Sequence, residues 1–594
     1  MAITRQLGEN NHSEYAWAED VREKLSQFFF QLVRTSDNNE ITKIKKVYKT
    51  LLEECFFKQN INNDITNEYK YVLLTIPLHT RDIIDGKGEY QLFYILIGVL
   101  CKTIDEYSCK SEYKLVADKL MSIVKIMIRK TLSSENKIHQ YGSWKDAKYL
   151  LNHLKDEYGN EDNIINHKIF DYIIELLCKQ LKEDTKISES HNISLLAKWL
   201  PREKSKKFGW QARHIANDLF LKNNKDDMSY NQYKLAEKKS LTYYRKLIAS
   251  LNNILKTPQI NQCNNTWSSI NFDKNVTSIT LQKQKYSFQN INKITNELRS
   301  LDIVDRTKCR SNYLQYLERC KNKSTTIKSA RVEIIDMVRE ALRLTHTTAQ
   351  PDKHIIELLN MQWEESGKLL EDSDMSNFVA MVDTSGSMTA EKGNPLHSAI
   401  GLGLRIAENS KLGKHVMTFS KEPKWIELGE EKTLTEMARK VADDSSWQMN
   451  TNIEAALRLM LRSCIIKDLA PLEVKNMVLV IFSDMQIDEA DNNILSMNEL
   501  IKQLFSEAGK YTSHQTPYEP CHILYWNLRS TTGFPCLSSE QNISMLSGYS
   551  PQLLKTFCKE GLEGLKKFTP WNCLLNQLQN ERYIWMKDYI IVDK

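Results

Sequence analysis

The sequence predicts a multidomain chain: an N-terminal all-α helical domain and a C-terminal α/β doubly wound domain. Three observations predict it. From Trp17 to about residue 345, apolar residues recur at helical spacing, with no alternating run that would mark a half-buried strand. From residue 378 onward, short apolar runs alternate with helical stretches, the pattern of a parallel sheet with covering helices. The chain has 594 residues, more than one core can organise, so two or more domains are required. With 41% hydrophobic and 26% charged residues the composition is that of a globular protein. Only 19 Gly and 12 Pro favour helix over a β-rich fold.

Residues 1–15 are polar and are expected to form a flexible N-terminus, with no apolar stretch of the signal-peptide kind. The helical domain is drawn at 16–346. Its first apolar stripe is Val21, Leu25, Phe28, Phe29 and Leu32. Helices are expected near 41–58, 66–76, 89–104, 112–131, 144–156, 165–182, 192–200, 210–222, 230–255, 287–299, 311–321 and 326–345. These irregular paired helices resemble a helical repeat (α-solenoid) of the HEAT type. The longest apolar run, Leu92 to Cys101, is too short to span a bilayer and reads as a buried helix, so no membrane association is expected. Twelve Cys without paired metal spacing suit reduced, buried thiols in a cytoplasmic, non-secreted protein.

Residues 347–376 read as a hinge, with a short helix at 354–362 and an acidic run at 371–374. A doubly wound domain follows at 377–594. Strands are expected at 378–382, 414–419, 477–483 and 521–526, with a short terminal one near 588–592. Helices are expected at 394–409, 432–442, 452–464, 493–508, 551–559 and 572–577. The chemistry lies in Phe378-Val-Ala-Met-Val-Asp-Thr-Ser-Gly-Ser-Met388. An apolar strand stops at Asp383, and Ser385, Gly386 and Ser387 turn into a helix. The spacing D-x-S-x-S puts one carboxylate and two hydroxyls inside one loop at the carboxyl end of a strand, where open α/β sheets bind ligands. Hard cations such as Mg²⁺ take such oxygens. Thr451, before another helix, lies 68 residues on, and Asp484, closing the apolar run Met477–Ser483, lies 101 residues on.

Order and spacing of these pieces resemble the metal-ion-dependent adhesion site of von Willebrand factor A domains. The resemblance implies Ser385, Ser387 and Thr451 as metal ligands, and Asp383 and Asp484 as ligands directly or through water. It implies Mg²⁺, or another divalent cation, whose shell is completed by an exposed Asp or Glu of a protein partner. Other readings fail on chemistry. An aspartic protease needs an uninterrupted D-T-G and a second carboxylate sharing a proton, and a haloacid-dehalogenase-type phosphatase needs an Asp where Ser385 stands. Gly401-Leu-Gly403 falls inside a helix rather than between strand and helix, so it is no dinucleotide fingerprint. A phosphoryl-transfer enzyme would need a positioned base, and no His or Cys is placed to be one.

Charge is divided unevenly. Residues 371–594 carry 23 Lys+Arg against 29 Asp+Glu, and the remainder carries 58 against 46. A basic N-terminal half suits nucleic acid or an acidic partner. The densest stretch holds Lys198, Arg202, Lys204, Lys206, Lys207 and Arg213, with Trp199 and Trp210 between them, an arrangement suited to phosphate contact and base stacking. Trp199, just before the helix-ending Pro201, is expected to be core. Two further motifs read as structure. The loop Thr80–Glu89 with Lys87 lacks the phosphate-loop spacing. In Tyr141-Gly-Ser-Trp-Lys-Asp146, Ser143 and Asp146 suit a helix start.

The loop around Arg81 and Gly86-Lys-Gly-Glu89, Tyr141–Asp146, Lys198-Trp-Leu-Pro-Arg202, Tyr244-Arg-Lys-Leu247 and the metal-site domain occur in this order. Together they resemble the domain-of-unknown-function 2828 family of plants, fungi and giant DNA viruses over nearly the whole chain. Asn-, Ile- and Lys-rich usage suits an AT-rich viral genome, which would place the protein in host cytoplasm or a virion. The architecture also resembles the Ro autoantigen (TROVE) proteins, which bind small structured RNAs through a basic helical part; that is analogy of architecture. The expected function is a non-enzymatic Mg²⁺-dependent scaffold. The alternatives are a ribonucleoprotein component holding structured RNA on the helical domain and, weakest, a metal-dependent enzyme.

Overall fold

The computed structural model describes residues 5–7, 13–58, 66–135, 138–187, 193–221, 228–345, 352–419, 422–444, 452–486, 497–531, 533–559, 561–565 and 567–590. The chain divides into two compact units that interleave in sequence. One holds residues 1–79, 85–87 and 326–594; the other holds 80–84 and 88–325.

The first unit is built on a six-stranded sheet. A small antiparallel pair, β1 (Arg5–Leu7) and β2 (Ser13–Tyr15), precedes it. The sheet strands are β3 (Phe378–Asp383), β4 (His415–Phe419), β5 (Lys424–Glu427), β6 (Val478–Ser483), β7 (His522–Asn527) and β8 (Ile543–Ser547), in the order β5-β4-β3-β6-β7-β8. All neighbours are parallel except β4 and the edge strand β5. Every residue of β3, β6, β7 and β8 is buried, as parallel strands covered on both faces require. The chain leaves β3 toward β4 and β5, then returns to the other side of β3 with β6. The order therefore reverses between β3 and β6, and their carboxyl ends face one crevice. Val382 pairs with Phe482, which sets Asp383 beside Ser483.

The helix Ala390–Asn409 crosses from β3 to β4. Its two glycines are packing positions: a Cβ on Gly403 would lie 2.6 Å from Val382 Cγ2, and one on Gly401 2.7 Å from Ile334 Cγ1. The G-x-G there lets the helix sit close to β3 and to the helix Ile334–Thr345.

Several expectations are corrected. The N-terminus contains β1 and β2, and Tyr15 pairs with Phe534. The first 79 residues join the sheet unit instead of one helical domain ending at 346. The apolar stripe of the helix Val21–Gln31 explains why: Phe30 is fully buried in the sheet's core. The short helix expected at 354–362 forms but runs longer, as Lys353–Gly367, and its Trp363 is buried under the Arg405 guanidinium at 3.4 Å, so this part of the expected hinge is packed. Of the strand expected near 588–592, residues 588–590 end the helix Met586–Ile590, and 591 and 592 lie outside the described residues. A helix forms at Ser278–Phe288, and the helix expected at 287–299 gives way to a turn bridged between Ile291 and Leu298.

The second unit is helical throughout. Its longer helices are Tyr90–Ser108, Lys114–Leu132, Lys145–Glu157, Lys168–Asp184, Gly209–Phe220, Tyr230–Leu255, Ser278–Phe288 and Val304–Lys321. Leu92–Cys101 is buried within the first of these. Among the described residues no helix is long and apolar enough to cross a membrane. The twelve cysteines are all free, ten of them buried.

Candidate metal site

Four of the five residues singled out for a metal meet at the β3–β6 crevice. Asp383 ends β3, Asp484 follows β6, and both are fully buried, as is Ser385. The Ser385 N–H donates to Asp383 Oδ1 at 2.9 Å, which bends the chain back over the strand end. The Ser483 hydroxyl donates to Asp383 Oδ2 at 2.6 Å. Ser385 and Ser387 bring their hydroxyls to 3.0 Å of each other, and Ser387 also bonds Asp484. Gly386 is exposed, and a Cβ there would meet nothing within 4 Å, so the loop opens to solvent above the carboxylates. Thr451, the fifth, lies outside the described residues.

Electrostatics set the site apart from an ordinary turn. Burial pushes the Asp383 carboxyl up to about 7, and the charge of Asp484 pushes the same way. Burial raises Asp484 too, against the opposing Ser387 hydroxyl and Arg529 guanidinium. Arg529 Nη1 lies 3.3 Å from Asp484 Oδ2 and is the only basic side chain bonded to either carboxylate among the described residues. Of the two buried carboxylates, among the described residues only Asp484 bonds a cation, and that cation is partly exposed. The donors are all hard oxygens, two carboxylates and two hydroxyls, which fits Mg²⁺ and fits Zn²⁺ poorly. No group of three or more His, Cys, Asp or Glu is placed to hold a metal among the described residues. Hydroxyls and water would therefore have to complete any shell.

Residues 377–580 match the family model described as domain of unknown function DUF7788. Residues 153–373 match that of domain of unknown function DUF2828. The DUF2828 match ends before β3, and the sheet lies within the DUF7788 match. No curated protein matches the chain.

Sequence reasoning missed Ser483, and it placed Arg529 only near the face of the metal site, without its bond to Asp484. Ser483 stood in the apolar run beside Asp484, and its hydroxyl matters only through the β3–β6 register. Arg529 follows β7, the strand on the far side of β6 from β3, so its reach to Asp484 is tertiary. The motif at Lys87 proves structural. Its buried ammonium donates to the carbonyls of Phe29 at 2.8 Å and Leu32 at 2.9 Å, and to Ser547 Oγ at 2.6 Å. It caps the end of the helix Val21–Gln31 and is closed to a phosphate.

Within the helical unit, Arg81 and the Tyr141–Asp146 motif turn out to be one device. Arg81 forms two bonds to Asp146, at 2.9 and 2.7 Å, and Tyr94 donates to the same carboxylate at 2.6 Å. Asp146 also accepts from the Ser143 N–H at 2.7 Å. A Cβ on Gly142 would lie 2.5 Å from Asp146 Oδ2, so the motif needs glycine there. Of the basic stretch, Lys198 is half-buried in the short helix Leu196–Trp199, and Arg202, Lys204, Lys206, Lys207 and Arg213 are exposed. Trp199, expected to be core, is not fully so. Trp210 is core, stacked on Phe170 at 5.9 Å, and Trp199 is only half-buried.

Proposed function

We propose that the protein is a non-enzymatic scaffold whose sheet domain is von Willebrand A-like and binds protein partners through a divalent cation, Mg²⁺ being the best fit. The observation that carries this reading is the buried Asp383–Asp484 pair, raised in pKa and incompletely neutralised, beside two converging hydroxyls at a mouth open to solvent. The strand order with one antiparallel edge strand supports it. Asp383, Ser385, Ser387 and Asp484 would hold the ion, and a bound ion would offer an electrophilic position to a partner's carboxylate. Ser483 fixes the Asp383 carboxylate, and Arg529 balances part of the charge. Among the described residues no His or Cys side chain hydrogen-bonds to these four, and a bound ion would take up both carboxylates, so the scaffold reading is favoured over an enzyme.

Thermal unfolding with and without Mg²⁺ tests it. If only the folded state binds the ion, stability rises by about 2.7 kcal/mol at a hundredfold excess over Kd. The wild type is expected to melt higher in Mg²⁺ than in chelator, and Asp383→Ala to lose that difference. Equal stabilisation of the two proteins would sink the site. Turnover of phosphoesters that vanishes in Asp484→Ala would sink the scaffold reading.

A further inference from the structure

Trp199 lies at the centre of a cluster of cations drawn from separate elements. The ammonium groups of Lys145, Lys148 and Lys198 lie 5.8, 5.6 and 5.5 Å from its ring centroid. Lys145 and Lys148 come from the first turn of the helix Lys145–Glu157, and Lys198 precedes Trp199 on its own short helix. More rings stand among these charges. Lys145 faces Tyr90 at 5.0 Å and Tyr149 at 5.1 Å, Lys148 faces Phe208 at 5.3 Å, and Lys207 faces Phe208 from 5.5 Å. Tyr149 and Phe208 meet edge to face at 5.0 Å.

The platform is fixed from behind. Tyr244 donates its hydroxyl to the Pro201 carbonyl at 2.8 Å, and Asn252 donates to the Ala197 carbonyl at 3.0 Å. Three of its cations are poorly neutralised. Among the described residues no carboxylate pairs with Lys148, Lys198 or Arg202. Residues 198–213 contain six Lys and Arg and one carboxylate, Glu203, which faces Arg245 at 3.3 Å. Burial, then the neighbouring Lys145 and Arg202, hold the Lys148 ammonium below its usual range, and burial does the same to Lys198. Ring faces offset part of this repulsion. Anionic groups would offset the rest.

We propose that this cluster binds a single strand of nucleic acid, with Lys145, Lys148, Lys198 and Arg202 on its phosphates and a base stacked on the open part of Trp199. The interleaved rings favour a strand over a bare polyanion, because stacking uses faces that a polyanion leaves idle. The centre also moves from the loop to the helix Lys145–Glu157. Lys204, Lys206 and Arg213 are exposed and face none of these rings. The inference is independent of the metal-site reading.

Fluorescence anisotropy of the full chain with labelled oligouridylate tests it. Combining Lys145→Ser, Lys148→Ser and Lys198→Ser should flatten the log–log salt dependence by roughly two, from about 0.7 per phosphate contact on a single strand. Trp199→Ala should weaken binding at least about fivefold at unchanged melting temperature, and Trp199→Phe should recover most of it. Inorganic polyphosphate should compete poorly, and an RNA hairpin should bind less tightly than the strand. Unchanged affinity and slope in the triple variant would overturn the site. Equal competition by polyphosphate, or preference for the hairpin, would overturn the single-strand assignment. If Trp199→Ala does not fold, the triple variant and the competition decide alone.

Discussion

His79 is fully buried, packed on Phe29 at 5.3 Å and Tyr583 at 6.0 Å. Burial first, and then the Lys87 charge, push its imidazole down to about 3. The folded state therefore holds it neutral while the unfolded chain takes up a proton near its ordinary 6.5. A group whose folded pKa is depressed contributes its full stability above the unfolded pKa and loses it as pH falls toward the folded one. His79 should make the sheet unit less stable as pH drops from about 6.5 toward about 3. His79→Phe should flatten that part of a melting-temperature profile relative to wild type; identical profiles would show the group to be uncoupled from folding. Asp383, by contrast, was legible in the sequence, because an apolar run closed by D-x-S-x-S puts strand, turn and ligand oxygens in one contiguous stretch. Arg529 was not, since its partner Asp484 is 45 residues away and only the sheet order brings them together.

At the scale of elements, the helix Lys145–Glu157 is anchored at its start by the Arg81–Asp146 pair, both side chains almost fully enclosed. The sequence showed Asp146 as a helix-start residue because capping is local in the chain. It hid Arg81, 65 residues away, because a pair between two helices leaves no periodic trace. A buried ion pair adds little net stability over apolar replacements, but breaking it strands a charge. Asp146→Ala is expected to destabilise the helical unit by about 3–5 kcal/mol. Arg81→Met combined with Asp146→Leu should recover much of that loss. Denaturant unfolding measures both, and a single variant no weaker than the double would contradict the pairing. Strands β5 and β8 escaped for a related reason. Lys424–Glu427 is short, with exposed ends, and Ile543–Ser547 carries two serines that are buried under distant elements, Ser547 bonding the Phe29 carbonyl and Ser544 meeting Cys573 of the helix Pro570–Leu578.

At the scale of the whole molecule, a composition break near 346–377 suggested where one domain should end. The first 79 residues nonetheless complete the other unit. The Asn527 side chain, fully buried at the end of β7, donates to the Phe30 carbonyl at 3.0 Å. Gln31 donates to the Gly533 carbonyl at 3.0 Å and accepts from the Thr531 N–H at 2.6 Å. Tyr71 donates to the Leu578 carbonyl at 2.7 Å, and the Ser36 N–H donates to Glu391 at 2.8 Å beside the candidate metal loop. Cutting the chain at 326 would remove these partners and would expose the core that Phe30 fills. The fragment 326–594 alone is therefore expected to be insoluble, or soluble with weak near-ultraviolet dichroism and bound dye, the signs of lost packing. Co-expressing residues 1–87 as a separate chain should restore a cooperative melt and, with it, the Mg²⁺ response. Cooperative unfolding of 326–594 alone at the melting temperature of the full chain would show that the N-terminal helices decorate the sheet rather than complete it.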